Sequence, residues 1–146
     1  MLGVTKFGNV YGDQFTGMSF AGNVYNSDGL SPALRTMQGG GNQPMITENK
    51  QAKYRIRKLT EREVWRLMDF PDWAIDKAKE AGVSRTQLYK QAGNSICVGV
   101  LYHIYKKLYE AMPYLFDDLK VCSCFSGIGA FEMALDRLYE EIDSKS

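Results

Sequence analysis

Residues 119 to 138 run from an apolar segment, Leu119 to Phe125, through the turn Ser126-Gly127-Ile128-Gly129 into a helical pattern in which Phe131, Leu135 and Leu138 share a face. Strand, glycine turn and helix form one βα unit, the first half of a nucleotide-type cofactor site, because two glycines let a ligand come close to the backbone. A Gly-X-Gly turn also joins strands to helices in many proteins that bind nothing there, so the turn alone does not assign a ligand. The strand is the stronger constraint. Unpaired, it presents two open hydrogen-bonding edges and apolar faces, so it needs neighbours. Eight residues follow Leu138, and the expectation is that the remaining strands of any doubly wound sheet come from elsewhere.

The chain has 146 residues, about one domain. Its 45% hydrophobic and 24% charged residues argue against disorder of the whole. Eighteen basic and seventeen acidic side chains leave a net charge of +1, which neither demands nor excludes a polyanionic partner, since local patches decide affinity for phosphate. The three cysteines, Cys97, Cys122 and Cys124, make neither an even disulfide set nor a CxxC pair. They point to a reduced, cytoplasmic chain, with Cys122 and Cys124 buried in the strand. The N-terminus lacks a basic-then-apolar leader pattern, and no apolar run approaches the roughly 20 residues needed to cross a bilayer. No membrane association is expected.

Residues 1 to 53 are rich in glycine and in short apolar–polar alternations such as Asn23-Val24-Tyr25, which predicts strands and loops. Gln38-Gly39-Gly40-Gly41-Asn42-Gln43-Pro44 reads as a flexible or tightly turned loop, with a plain linker as the simplest reading. Residues 54 to 146 are mainly helical in pattern. Thr60-Glu61-Arg62-Glu63 supplies a capping box, Val64, Leu67 and Met68 fall on one face, and Phe70-Pro71-Asp72 separates this helix from a second, over Trp73 to Ala81, that Gly82 ends, so that two helices lie within 60 to 81. Gly93-Asn94-Ser95 reads as the entrance of a helix over 95 to 111, with Ile96, Val100, Ile104 and Leu108 among its apolar positions. A helix start can bind a carboxylate or phosphate, but capping explains Asn and Ser as well. A linker from Met112 to Asp118, a strand over 119 to 125 and a helix over 129 to 141 complete the chain.

Four separated stretches together resemble the DNA cytosine-5 methyltransferases. Ser31-Pro32-Ala33-Leu34-Arg35-Thr36-Met37-Gln38-Gly39-Gly40-Gly41 is similar to the end of that family's target-recognition region, which usually reads Ser-Pro-Thr-Leu. Arg57 to Glu63 and Arg66 to Pro71 resemble the ninth motif, Gln87 to Ser95 the tenth, and Phe125-Ser126-Gly127-Ile128-Gly129 the first. The resemblance implies an α/β chain holding part of a Rossmann-like S-adenosylmethionine-dependent methyltransferase fold. That part is one βα unit plus packing helices, preceded by a β- and loop-rich remnant of the target-recognition region. It also implies a cofactor site for S-adenosyl-L-methionine built from Phe125, Ser126, Gly127, Gly129, Asn94 and Ser95. Arg35, Gln38, Gly39, Gly40 and Gly41 would face double-stranded DNA.

The order of the motifs departs from the family's usual one, since the tenth precedes the first, as in a circular permutation. A short linker such as Met112 to Asp118 would suffice, because the two motifs pack side by side in the family fold. The family's nucleophile is a Cys in a Pro-Cys dipeptide, assisted by a Glu; none of the four prolines here precedes a Cys. No catalytic residue is therefore assigned, and His103 reads as a surface or packing residue. The leading expectation is a subunit or fragment of a split, permuted cytosine-5 methyltransferase of phage or restriction-modification type, completed by a chain carrying the Pro-Cys motif. The alternative is a non-catalytic DNA- or cofactor-binding relic or regulator of the same origin.

Overall fold

A computed structural model of the chain describes residues 3–10, 21–34, 43–50, 53–124 and 126–145. Its elements are β1 (Lys6–Asn9), β2 (Asn23–Tyr25), β3 (Met45–Lys50) and β4 (Lys53–Lys58), followed by α1 (Glu61–Leu67), α2 (Asp72–Glu80), α3 (Arg85–Asn94), α4 (Val98–Ala111) and α5 (Ala130–Lys145). The architecture is mixed α/β. The four strands form one sheet in chain order, with β1–β2 and β3–β4 antiparallel and β2–β3 parallel. β3 and β4 pair from Lys50↔Lys53 to Met45↔Lys58, so the strand-rich part extends to Lys58 and a boundary after residue 53 would divide a hairpin.

Helix α1 starts where local chemistry dictates. Thr60 Oγ1 accepts from the Glu63 backbone N–H at 3.3 Å, and Glu63 Oε2 accepts from the Thr60 N–H at 2.8 Å, which satisfies two amides the helix start would leave bare. The same carboxylate takes a bidentate grip from Arg57 at 2.8 and 2.7 Å, tying the end of β4 to the first turn of α1. Val64 and Trp65 are the buried residues of α1, while Leu67 is exposed. The face expected from Val64, Leu67 and Met68 is thus rotated by one residue, because Trp65 packs on Phe70 at 5.3 Å and its indole N–H reaches the Leu88 carbonyl at 3.0 Å.

The helical core joins Leu59, Val64, Trp65 and Phe70 to Ile75 of α2, Leu88 and Ala92 of α3, Val98 and Leu101 of α4, and Ala134 and Leu138 of α5. Two long-range hydrogen bonds fix α3 in it: Trp65 to the Leu88 carbonyl, and the Tyr89 hydroxyl to the Leu59 carbonyl at 2.6 Å. Asp69 adopts φ +62°, a left-handed turn after α1, and its carboxylate accepts from Arg137 of α5 at 2.8 Å. Gly99 at the start of α4 leaves room for this carboxylate: a Cβ there would stand 2.7 Å from Asp69 Oδ2. Phe116, in a 3-10 turn over Pro113–Phe116, packs edge-on against Tyr109 and so folds the linker onto α4.

Several expectations are corrected here. Residues 119–124 form no strand: no described strand lies beside them to accept their backbone bonds, and Leu119 and Val121 are exposed. Cys122 and Cys124 are exposed rather than buried, with sulfurs 4.0 Å apart. Gly93-Asn94-Ser95 is the end of α3 and not a helix entrance. Ser95 is the C-terminal cap of α3, Cys97 is the N-cap of the next helix, and α4 begins at Val98 rather than at residue 95. Ile96, Val100, Ile104 and Leu108 are all exposed, because α5 packs on the neighbouring stripe of Val98, Leu101 and Tyr102. Phe131 is likewise exposed, and the buried face of α5 is Ala130, Ala134, Leu135 and Leu138. No described helix is long and apolar enough to cross a membrane.

The Arg57 guanidinium holds the Glu63 carboxyl well below its ordinary range; burial opposes this and the Thr60 backbone bond adds to it, so that Glu63 titrates at about 2. A depressed folded-state value means that the ionised form stabilises the fold. That contribution is complete above about pH 4.5 and is lost as pH falls towards 2. Glu63→Gln is therefore expected to lower thermal stability at pH 7 and to flatten the loss of melting temperature between pH 5 and 2.5, as followed by circular dichroism; an unchanged slope would exclude this linkage. Tyr89→Phe, which leaves the buried Leu59 carbonyl without its partner, should cost about 1–3 kcal/mol in urea unfolding with little change in shape.

Candidate cofactor pocket

The end of α3 and the start of α5 meet at a cavity of about 420 Å³. Its lining comes from Gln87, Gln91, Asn94 and Ser95 on one side, and from Ser126, Gly127, Ile128 and Phe131 on the other. The first set is local helix geometry, since positions 87, 91 and 94 recur at four and three residues and so line one face of α3. The second set is a turn. Gly127 and Gly129 take φ of +60° and +80°, conformations strained for any residue with a Cβ, and a Cβ at Gly127 would meet nothing within 4 Å. The Gly129 N–H donates to the Ser126 carbonyl at 3.0 Å, and the Met133 N–H to that of Gly129, which starts α5 directly behind the turn.

Two buried acceptors stand near this cavity without a partner. Gln91 lines it and has a buried Oε1, and Glu132 Oε2 lies 3.8 Å from where a Gly129 Cβ would be. A buried carbonyl oxygen left without a donor costs free energy, so Gln91 is a natural receiver for a ligand N–H or O–H. Beside this, burial and the Glu132 carboxylate push the Tyr105 phenol up. The donor and acceptor set fits an amino-acid-bearing nucleoside: amide and hydroxyl groups at one end, bare backbone at the glycine turn, and the apolar Ile128 and Phe131 against which a flat ring can lie. Among the described residues, no group of three metal-ligating side chains occurs.

Of the residues expected from sequence at a cofactor, Asn94, Ser95, Ser126 and Gly127 line this cavity, and Gly129 sits in the turn beside it. Phe125 lies outside the described residues, as do all five expected at DNA, Arg35, Gln38, Gly39, Gly40 and Gly41. Sequence reasoning missed Gln87 and Gln91 as lining residues. Their spacing to Asn94 carried the signal, which the misplaced helix start concealed. His103 is exposed on α4 with its ring against Tyr102, away from the cavity lining.

Comparison with known proteins agrees with the motifs. Residues 6–110 match the family model for C-5 cytosine-specific DNA methylase. The chain belongs to that family. Its members use S-adenosyl-L-methionine as methyl donor. The Ser126–Gly129 turn lies outside the matched residues. Similar relatives include the orphan methyltransferase M.SPBetaI of Bacillus phage SPbeta, 36% identical over 128 residues, covering 58% of this chain and 29% of the relative. Another is the orphan methyltransferase M.Rho11sI of Bacillus phage rho11s, 59% identical over 56 residues, covering 38% of this chain and 11% of the relative. The type II methyltransferase M2.ScrFI of Lactococcus lactis subsp. cremoris is 43% identical over 88 residues, 60% of this chain and 22% of the relative. The chain thus spans less than a third of the length of these relatives.

Proposed function

We propose that this chain is one part of a DNA cytosine-5 methyltransferase, contributing a portion of the S-adenosyl-L-methionine site and a portion of the DNA-facing surface, with the catalytic cysteine supplied by further polypeptide. The observation that carries the reading is the shared cavity: Asn94 and Ser95, which resemble the tenth motif, and Ser126 and Gly127, which resemble the first, line the same space together with Gln91, whose amide oxygen has no partner. In this reading Gln91 and Asn94 bind the amino-acid end of the cofactor, and Gly127 and Gly129 let it pass close to the backbone. Ile128 and Phe131 exclude water from the adenosine. Bound there, S-adenosyl-L-methionine supplies an electrophilic methyl group, while the residues of this chain position it and take no part in proton transfer.

Support for a completing polypeptide comes from an uncovered apolar face. Val100, Ile104 and Leu108 line one side of α4, and Leu108 continues into a groove of about 230 Å³ with Leu115, Leu119 and Val121. Contiguous apolar surface of this kind marks an interaction site. Residues 119–124 fit a strand whose neighbours lie on that other polypeptide, a state in which Cys122 and Cys124 would become enclosed.

Two outcomes are expected. Isothermal titration should detect S-adenosyl-L-methionine binding, and Gln91→Leu should weaken it about tenfold through loss of one hydrogen bond; equal affinity of the two proteins would remove Gln91 from the site. Methyl transfer to cytosine in duplex DNA should be absent for the chain alone and present when it is co-expressed with a methyltransferase segment carrying the Pro-Cys motif. Asn94→Ala should reduce that transfer, and Ile104→Glu should abolish it by preventing association while improving solubility of the lone chain. Failure of every such pairing, with cofactor binding intact, would favour the non-catalytic relic.

A further inference from the structure

A second cleft, of about 220 Å³, lies where the end of β4 meets the first turn of α3, and Gln43, Lys58, Arg85, Thr86 and Tyr89 line it. Its charge is one-sided. Lys58 is exposed and has no ion-pair partner among the described residues. Arg85 is two-thirds exposed; it donates through Nε to Glu61 at 3.0 Å and through Nη2 to the Tyr89 hydroxyl at 3.4 Å, which leaves its Nη1 donors for a ligand. The nearby carboxylates are already neutralised. Glu61 is shared between Arg85 and Lys79 at 2.9 Å, and Glu63 is held by Arg57. No carboxylate lines the cleft itself.

Polar neutral groups complete the lining. The Thr86 hydroxyl is exposed in the first turn of α3, and Tyr89, its hydroxyl anchored on the Leu59 carbonyl, forms the far wall. Gln43 closes the other side with a buried amide oxygen that has no partner. Turned over, that amide presents its NH2 group instead. Two cations, an exposed hydroxyl and an amide around a small cleft with no carboxylate in its lining suit a singly charged tetrahedral oxyanion. Gln43 also follows directly on the glycine-rich run of residues 38 to 42.

We propose that this cleft holds a phosphodiester of the DNA backbone, gripped by Lys58 and Arg85, so that the strand–helix junction fixes the register of the duplex while reading no bases. This rests on the methyltransferase reading for the nature of the ligand, but involves none of the residues of the cofactor pocket. The contact is sequence-independent and salt-sensitive, since each phosphate neutralised releases condensed counterions.

Fluorescence anisotropy of the full chain with two duplexes of unrelated sequence, at salt concentrations from 50 to 200 mM, tests the assignment. Lys58→Gln and Arg85→Gln should each weaken binding by the same factor on both duplexes. Each should also reduce the slope of log affinity against log salt by about 1. Lys58→Arg should restore both, and Lys77→Gln, on α2 beside Trp73, should change neither. Melting curves matching the wild type establish that the variants are folded. Unchanged affinity and slope in both Gln variants overturns the proposal, as does a wild-type chain that binds no duplex; retained S-adenosyl-L-methionine binding in that chain would leave the cofactor reading standing. Competition by inorganic phosphate at matched ionic strength, without an effect of the substitutions on duplex binding, would identify a free-phosphate site and overturn the assignment to DNA.

Discussion

Two buried hydrogen bonds, from the Trp65 indole to the Leu88 carbonyl and from the Tyr89 hydroxyl to the Leu59 carbonyl, hold α3 against the junction of sheet and helices. Each joins residues more than twenty positions apart, and the Tyr89 bond occupies a Leu59 carbonyl that burial would otherwise leave unpaired. Both ends of α3 matter for function. Its last turn supplies Gln91 and Asn94 to the cofactor pocket, and its first turn supplies Arg85 and Thr86 to the basic cleft. A shift of α3 would therefore disturb both sites together. The Arg57–Glu63–Thr60 cluster fixes the other side of the same junction by making the end of β4 and the start of α1 one rigid corner.

What could be read from the chain followed from how local the determining physics was. The capping box at Thr60 and Glu63 was legible because its donors and acceptors lie within one turn, and Gly82 marks the close of α2 with φ +79° for the same reason. Helix α4 shows where this stops. Its apolar residues cover more than one face, and periodicity cannot say which face is buried. The packing of α5 on Val98, Leu101 and Tyr102 decides, and leaves Ile96, Val100, Ile104 and Leu108 outside. The error at Gly93-Asn94-Ser95 has a similar origin: Asn and Ser suit a helix start, yet Ser84 is the residue whose side chain caps α3.

The segment 119–124 is the case in which local pattern and structure differ most. Its alternation and its Val and Cys content favour a strand, but strand formation requires a partner, and hydrogen bonding across a ladder is not encoded in one strand alone. The cofactor pocket was partly legible despite this. The glycine turn and α5 form without the strand, because Gly127 and Gly129 set the backbone direction and the Ala130, Ala134 and Leu138 face docks on the helical core.

All the residues lining that pocket lie between positions 87 and 131. The two walls are thus joined by α4, the 3-10 turn over Pro113–Phe116 and the segment that follows it, and closing the pocket requires no encounter between distant ends of a chain. The entropy lost in bringing segments together rises with the length of the intervening loop, and contacts close in sequence form sooner than those that are far apart. The arrangement of this chain therefore lets the cofactor pocket close within one stretch of sequence, by α5 folding back on α4, with no residue of the sheet in its lining.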